Sequence, residues 1–525
     1  MEDALIIVGD KGPLQTKIIW CIIGSASLSL IQSIAFAFLT KKPNFLCKIN
    51  DDLNSIYHEC EYNKQLFCSN PSTITYKKDP SKSIINLTYS FDLICDRESY
   101  IPLIGSVFFF GSILGCITLS SLPDKFGRKR IFQFLLCLSC ISNILCLFSF
   151  NPTQLLLIIF ISGFTSFVYG MSSIMVSEYV ARDISGIIMG LVNSMYPVTG
   201  ILISIFFYFF KNWRILFFVA SIPFCLLSYW SLIYMVESVR WLNSQGKTEE
   251  IISTLDQIAK INNTEKEWND YKPKMEQFLQ KNTKKTSKGN SQINLSIIEI
   301  LQLKSQQKKI FLLSIIWFIT AFYFYGIILN LEHLGGNIYV DSIMAFAAEM
   351  ISEMSSGWLS NIFGRILIMR YGSYLGAIGF FLFTFFDFSI VIKSFLIFLT
   401  TFGFAAIFNV IYIYSPEVIP TPIRGMVCSS LFLLSRLGAC IVAPISSLVG
   451  NYINYLFSLA GIITAGITYF LDESLGEPII DEIPEFEGMA SFKSGKVESN
   501  EMNSIIDRGP VSSKYFISDI FRKYN

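Results

Sequence analysis

The sequence predicts an all-α polytopic membrane protein with twelve transmembrane helices in two pseudo-symmetric six-helix bundles. Three observations carry that expectation. Hydrophobic residues make up 52% of the chain, with 48 phenylalanines, and the mean hydropathy of +0.50 is far above that of a water-soluble protein. Apolar runs of about twenty residues, the length that crosses a bilayer, recur twelve times. A charged stretch, SSLPDKFGRKR at Ser120 to Arg130, is echoed by GWLSNIFGRI at Gly357 to Ile366, so the chain reads as two related halves. A soluble fold would leave a very large apolar surface in water and is excluded.

In the first half the apolar runs cover residues 18–39, 101–122, 131–150, 153–176, 185–210 and 214–236. In the second they cover 310–330, 339–360, 366–386, 390–414, 425–450 and 452–471. The expected organisation is therefore an N-terminal bundle over 1–236 that includes an extracellular loop at 40–100, a cytosolic loop at 237–309, a C-terminal bundle over 310–471, and a cytosolic tail at 472–525. The loop at 237–309 holds helix-like stretches at 248–261 and 265–279, then the flexible basic linker KNTKKTSKGNSQ. The tail, acidic around Asp481 to Glu487, reads as poorly ordered.

Short loops fix the orientation. Lys125, Arg128, Lys129 and Arg130 lie between spans two and three, Arg182 between four and five, Arg365 and Arg370 between eight and nine, and Arg424 between ten and eleven. Positive residues stay inside, so both termini are expected in the cytosol. The N-terminus has no signal-peptide pattern, and the first span serves as the insertion signal. Such a protein belongs in the plasma membrane or an endomembrane, in contact with lipid.

Cys47, Cys60, Cys68 and Cys95 share the loop at 40–100, which points to two disulfides in an oxidising compartment, with three pairings open. Asn86-Leu87-Thr88 in the same loop fits an N-glycosylation site. With only two histidines and no HExxH motif, no metal site is expected. No nucleotide loop or nucleophile and base pair is present, so neither a cofactor nor an enzyme activity is expected. No basic face with stacking aromatics suggests nucleic acid. The oligomeric state is left open.

Charge inside the membrane marks function. Arg436 lies in the middle of span eleven, where an arginine costs roughly 2.5–3.5 kcal/mol and must face protein or water. Its guanidinium suits a carboxylate or sulfonate through two parallel hydrogen bonds. The competing reading is a salt bridge to Glu349 or Glu353, which sit four residues apart on one face of span eight. Those acids suit a coupling proton, a sodium ion or a substrate's ammonium group. Phe322, Tyr323, Phe324, Tyr325, Tyr412 and Tyr414 are candidates for holding an apolar body or a quaternary ammonium. Gln32, Asn193 and Asn409 are polar groups that face either a cavity or a neighbouring helix.

The SSLPDKFGRKR stretch is similar to the signature between spans two and three of the major facilitator superfamily, and its setting resembles the organic ion transporter family. The resemblance extends to YSFDLICDRESYIPLIGSVFFFGSILG (Tyr89 to Gly115), ESVRWLNSQGKTEE (Glu237 to Glu250), YFYGIILNLEHLGGNIYV (Tyr323 to Val340) and YIYSPEVIPTPIRG (Tyr412 to Gly425). It implies the major facilitator fold and alternating-access transport of small organic ions. Arginine in the pattern SRLGA resembles the anion and carnitine branches, whereas cation carriers tend to have aspartate. Phe324 and Tyr325 match the family's aromatic pair, and Glu349 falls where the family often has an acid. Asp124, Gly127, Arg128, Glu178, Glu417 and Arg424 are then the expected inner gate, pairing across the bundles when it closes. Ser120, Pro123 and Val239 depart from the family pattern, as do Ser185, in place of an arginine, and Asn361, in place of the acid. A weakened latch is expected, most of all in the second half.

Overall fold

The computed structural model describes residues 2–9, 12–49, 57–60, 67–68, 74–179, 182–286, 304–331, 337–386 and 388–476. Half of the basic linker and the acidic patch of the tail lie outside the described residues. The first span is Pro13–Leu28 continued by Ile31–Ile34 and Phe36–Thr40. The rest of the first half is Tyr100–Leu119, Arg128–Leu147, Pro152–Thr165 with Phe167–Tyr179, Arg182–Phe210 and Trp213–Tyr234. Spans seven to twelve are Lys304–Leu329, Ile338–Phe363, Arg365–Phe385, Ile390–Val418, Thr421–Val449 and Ile453–Thr468.

Nine helices among the described residues are long and apolar enough to cross a membrane. The first, eighth and twelfth fall short for separate reasons. In the first, the hydroxyls of Ser25, Ser27, Ser29 and Ser33 bond back to carbonyls three residues earlier, a pattern that competes with the helix ladder. The eighth carries Asp341, Glu349 and Glu353 among several serines, and the twelfth has 16 residues.

Packing repeats with a period of six spans. Spans one and five, two and four, three and four, and three and six pack together, as do seven and eleven, eight and ten, nine and ten, and nine and twelve. Where the bundles meet, span two packs on span eleven and span five on span eight. Adding six exchanges these two contacts, so the seam has its own two-fold relation. Small residues permit the closest approaches: a Cβ added to Gly372 would lie 2.7 Å from the Gly403 carbonyl.

The seam is closed on one half of the molecule. Ser106 Oγ donates to the Cys440 carbonyl at 3.0 Å and Cys440 Sγ donates back to the Ser106 carbonyl at 3.4 Å. Phe38, stacked on Phe207 of its own bundle at 4.9 Å, stacks across the seam on Tyr339 at 5.8 Å, and Gly200 seats the Phe346 ring. On the half bearing the basic loops, Gly190 and Gly425 have open space where a side chain would project.

The closed half carries a small sheet of β1 (Phe45–Ile49), β2 (His58–Cys60) and β3 (Ile74–Lys78), antiparallel in the order β2-β1-β3. Disulfides join Cys47 to Cys60 and Cys68 to Cys95 around Phe45, Phe67 and Ile94. On the opposite, basic face, a platform of Val239–Ser244, Thr248–Asn262 and Glu265–Thr286 follows span six. Its last helix runs six residues into the sequence expected to be linker, which lacks glycine and proline up to that point. Asn262 staples the platform to the N-terminal segment. Its Oδ1 accepts from Leu14 N at 3.0 Å, and its Nδ2 lies 2.9 Å from the Val8 carbonyl and 2.7 Å from Gln15 Oε1.

Asn86 corrects the glycosylation expectation. It is fully buried, its Nδ2 donates to the Phe38 and Lys41 carbonyls at 2.8 and 2.7 Å, and its Oδ1 caps the helix Leu87–Phe91 through Tyr89 N. A glycan on that nitrogen would break the docking of the loop onto span one, so Asn86 is a structural cap. Enzymatic deglycosylation is expected to leave the gel mobility of wild type and Asn86→Gln alike. Asn86→Ala is expected to cost about 1–3 kcal/mol of stability, read by thermal unfolding in detergent.

Candidate functional site

Two clasps sit on the basic face, one per bundle. Adding 237 to Asp124, Gly127 and Arg128 gives Asn361, Gly364 and Arg365. Arg128 pairs with Asp124 at 2.6 Å and with Glu178 at 2.9 Å. Arg365 grips Glu417 with two bonds of 3.2 and 3.0 Å, and its Nη1 donates to Asn361 Oδ1 at 2.6 Å. The amide at Asn361 thus keeps the hydrogen bond and gives up only the charge, and the second clasp is intact rather than worn. Arg424 was expected beside Glu417; instead its Nε donates to the Ile419 carbonyl at 3.2 Å, and Arg365 takes Glu417.

A further carboxylate completes each clasp. Glu237 Oε1 accepts from Arg128 N and Lys129 N at 2.9 and 3.0 Å. Glu473 accepts from Arg365 N and Ile366 N at 2.8 and 3.0 Å. Each acid thereby satisfies the free N–H groups and positive dipole end of a span. Gly127 and Gly364 have φ of 103° and 98°, and a Cβ at either would run into the carboxylate. Each of these ion pairs lies within one bundle.

Between the bundles lies the second constellation. Arg436 is 5% exposed; its Nη1 donates to Tyr325 Oη at 2.8 Å, and the guanidinium lies 4.5 Å over the Phe432 ring and 5.7 Å from that of Tyr325. Its Nε is buried without a partner, and among the described residues no carboxylate lies within ion-pair distance. The expected competitor, a salt bridge to Glu349 or Glu353, is therefore not formed. Tyr325 meets Phe109 of span two edge-on at 4.7 Å, and Phe324 stacks on Phe408 at 4.6 Å. Tyr412 packs on Trp317 at 4.5 Å and Phe408 at 5.3 Å. Tyr169 and Tyr196 enter from the first bundle, each within electrostatic reach of Arg436 and of one glutamate.

The remaining candidates separate. Gln32 donates to Cys146 Sγ at 3.3 Å inside the first bundle, in a small apolar cavity with Phe36, Ile104 and Phe108. It is not gathered with Arg436, and its place in the binding group is withdrawn. Asn409 braces span eight through the Glu353 carbonyl and Ser356 Oγ, both at 2.9 Å. Asn193 accepts from Tyr169 Oη at 3.2 Å. Tyr323 stacks on Phe404 at 3.8 Å, and Tyr414 Oη donates to the Asp472 carbonyl at 2.7 Å, both within the second bundle.

The Major Facilitator Superfamily model matches residues 86–443. The chain belongs to that superfamily. Solute carrier family 22 member 6-A of Xenopus laevis is 27% identical, with 82% of this chain and 76% of the relative covered. The human organic cation/carnitine transporter 2 is 24% identical, with coverage of 95% and 96%. In fold it is similar to the E. coli xylose transporter XylE in an inward open conformation. The TM-score is 0.61 at 14% identity, covering 90% of this chain and 99% of that one. The protein is thus a membrane transporter of the major facilitator superfamily, not an enzyme.

Sequence reasoning missed Glu237, Glu473, Phe109, Tyr169, Tyr196 and Phe408. A signal existed only for the first two: each acid closes a transmembrane span, at the same place in both halves. Gly127→Ala is expected to lower the unfolding midpoint in detergent by a few degrees, since the left-handed backbone alone costs roughly 1–2 kcal/mol. Gly170→Ala, placed in open space within a helix, is expected to leave it unchanged or raise it; fluorescence-detected size exclusion compares them.

Proposed function

We propose that the protein moves small organic anions or carnitine-like zwitterions by alternating access, with Arg436 taking the substrate's carboxylate or sulfonate. The observation that carries this reading is the buried guanidinium with a partnerless Nε and, among the described residues, no acid to neutralise it. A cation in that setting is held at a cost of several kcal/mol unless an anion arrives, and a planar fork receives a carboxylate with two bonds. Phe324, Tyr325 and Tyr412 would surround the apolar body. The relatives named for carnitine support a cargo carrying both charges. Glu349 and Glu353 would then serve a substrate ammonium or a coupling cation.

A closed seam on the disulfide half, with open space at Gly190 and Gly425 on the basic half, supports a state facing the basic side. We take that side as cytosolic, with both termini there, from the positive loops. The two clasps would hold each bundle rigid while the seam alternates. Transport of organic cations is the second reading, favoured by the orphan oxygens Glu349 Oε1 and Glu353 Oε2.

In proteoliposomes offered labelled anionic, cationic and zwitterionic compounds, Arg436→Ala is expected to abolish uptake of the anionic and zwitterionic ones at equal surface expression. Arg436→Lys should lose roughly ten- to hundredfold in apparent affinity as the bidentate contact goes. Unchanged anion uptake in Arg436→Ala removes this assignment in favour of the cation reading.

A further inference from the structure

Glu349 and Glu353 lie one turn apart on span eight, at the seam that span five closes. Glu349 is 1% exposed and its Oε1 has no partner; Glu353 Oε2 is likewise buried and unpartnered. A third orphan faces them from the other bundle. Tyr196 Oη of span five is buried without a partner, within electrostatic reach of Glu349. Its ring is set between Phe324 at 6.5 Å and Phe346 at 6.3 Å.

The groups that face the pair from each neighbouring element are few. Span five brings Tyr196, span four Tyr169 and span ten Tyr412, the last two within reach of Glu353. Span eleven's Arg436 is engaged by Tyr325. Span nine's ionisable groups are turned elsewhere: Arg365 to Glu417, Arg370 to Thr468, Tyr374 to Tyr469, and Tyr371 outward. On span eight itself, Asp341 accepts from Ser394. Among the described residues no lysine, arginine or histidine pairs with either glutamate.

We propose that Glu349 and Glu353 together hold one exchangeable proton, and that Tyr196, contributed by the opposite bundle, couples occupancy of this site to closure of the seam. The proposal rests on the transport reading and names its coupling ion. Two buried anions one turn apart would each cost several kcal/mol, and a single proton bonded between them relieves both. Hard metal cations need about six oxygens. Here the helix carbonyls are spent on the ladder, and that of Glu353 also takes the Asn409 amide. A proton needs one lone pair. Its cycle forms one O–H bond from hydronium on one side and releases it to water on the other, with no change of oxidation state.

The test uses purified full-length protein at pH 7. Infrared difference spectroscopy in H2O and D2O is expected to show a protonated-carboxyl band that Glu349→Gln and Glu353→Gln each remove or shift and that disappears when both are changed. Tyr196→Phe should raise the midpoint of its titration by about half a pH unit or more, because a hydroxyl free to turn and donate to the ionised form is lost. A purely structural tyrosine would not move that midpoint. The single variants carry the assignment if the double variant fails size exclusion. In proteoliposomes, with carnitine as the zwitterionic probe, an acid outside should drive accumulation in wild type, whereas uptake by the Gln variants should no longer respond to the proton gradient. A band unchanged in every variant, or accumulation driven by sodium alone, overturns the proposal. Absent counterflow in wild type with the band assigned as expected instead strikes the transport reading for this probe and leaves the proton site standing.

Discussion

Charge left without a partner in an apolar medium is the constraint from which the rest of this structure follows. A carboxylate or guanidinium in hydrocarbon is held at a cost of kilocalories per mole, so the chain confines most charges to loops, platform and tail. Where ionic groups reach the membrane ends they are matched: Arg128 meets two acids and Arg365 one acid and one amide. Where they lie at mid-membrane they are not matched, and those residues, Arg436, Glu349 and Glu353, gather at the seam between the bundles.

The clasps show how duplication is used. Gly127 and Gly364 turn the chain so that the next backbone N–H groups point at an acid arriving more than a hundred residues later, Glu237 in one half and Glu473 in the other. Because those acids stand at the exit of the last span of each half, they join its third and last helices on the basic face into one body. Each bundle is thereby braced internally, and motion is left to the seam.

Much of the architecture was legible in the sequence, because span length and the placement of positive loops are local properties that hydrocarbon thickness imposes. Arg436 was legible for the same reason, as a lone charge in an apolar run. What escaped depended on contacts between distant elements. Tyr196 and Phe109 are ordinary aromatics until packing brings one beside Glu349 and the other against Tyr325. Gln32 misled because a polar residue within a span does not reveal which way it points, and here it turns to Cys146. The Asn86 triplet misled because a three-residue motif is blind to burial. Asn361 looked like a lost acid, yet an amide oxygen still accepts from Arg365.

The closed half of the seam also has a thermal consequence. Apart from the Ser106 and Cys440 pair, its named contacts are ring on ring and ring on glycine: Phe38 with Tyr339, and Phe346 over Gly200. Parting such a surface wets apolar area, and hydrating apolar area raises heat capacity. The reorientation step therefore carries its own heat-capacity change, and a plot of the logarithm of turnover against reciprocal temperature should bend where that step limits the cycle.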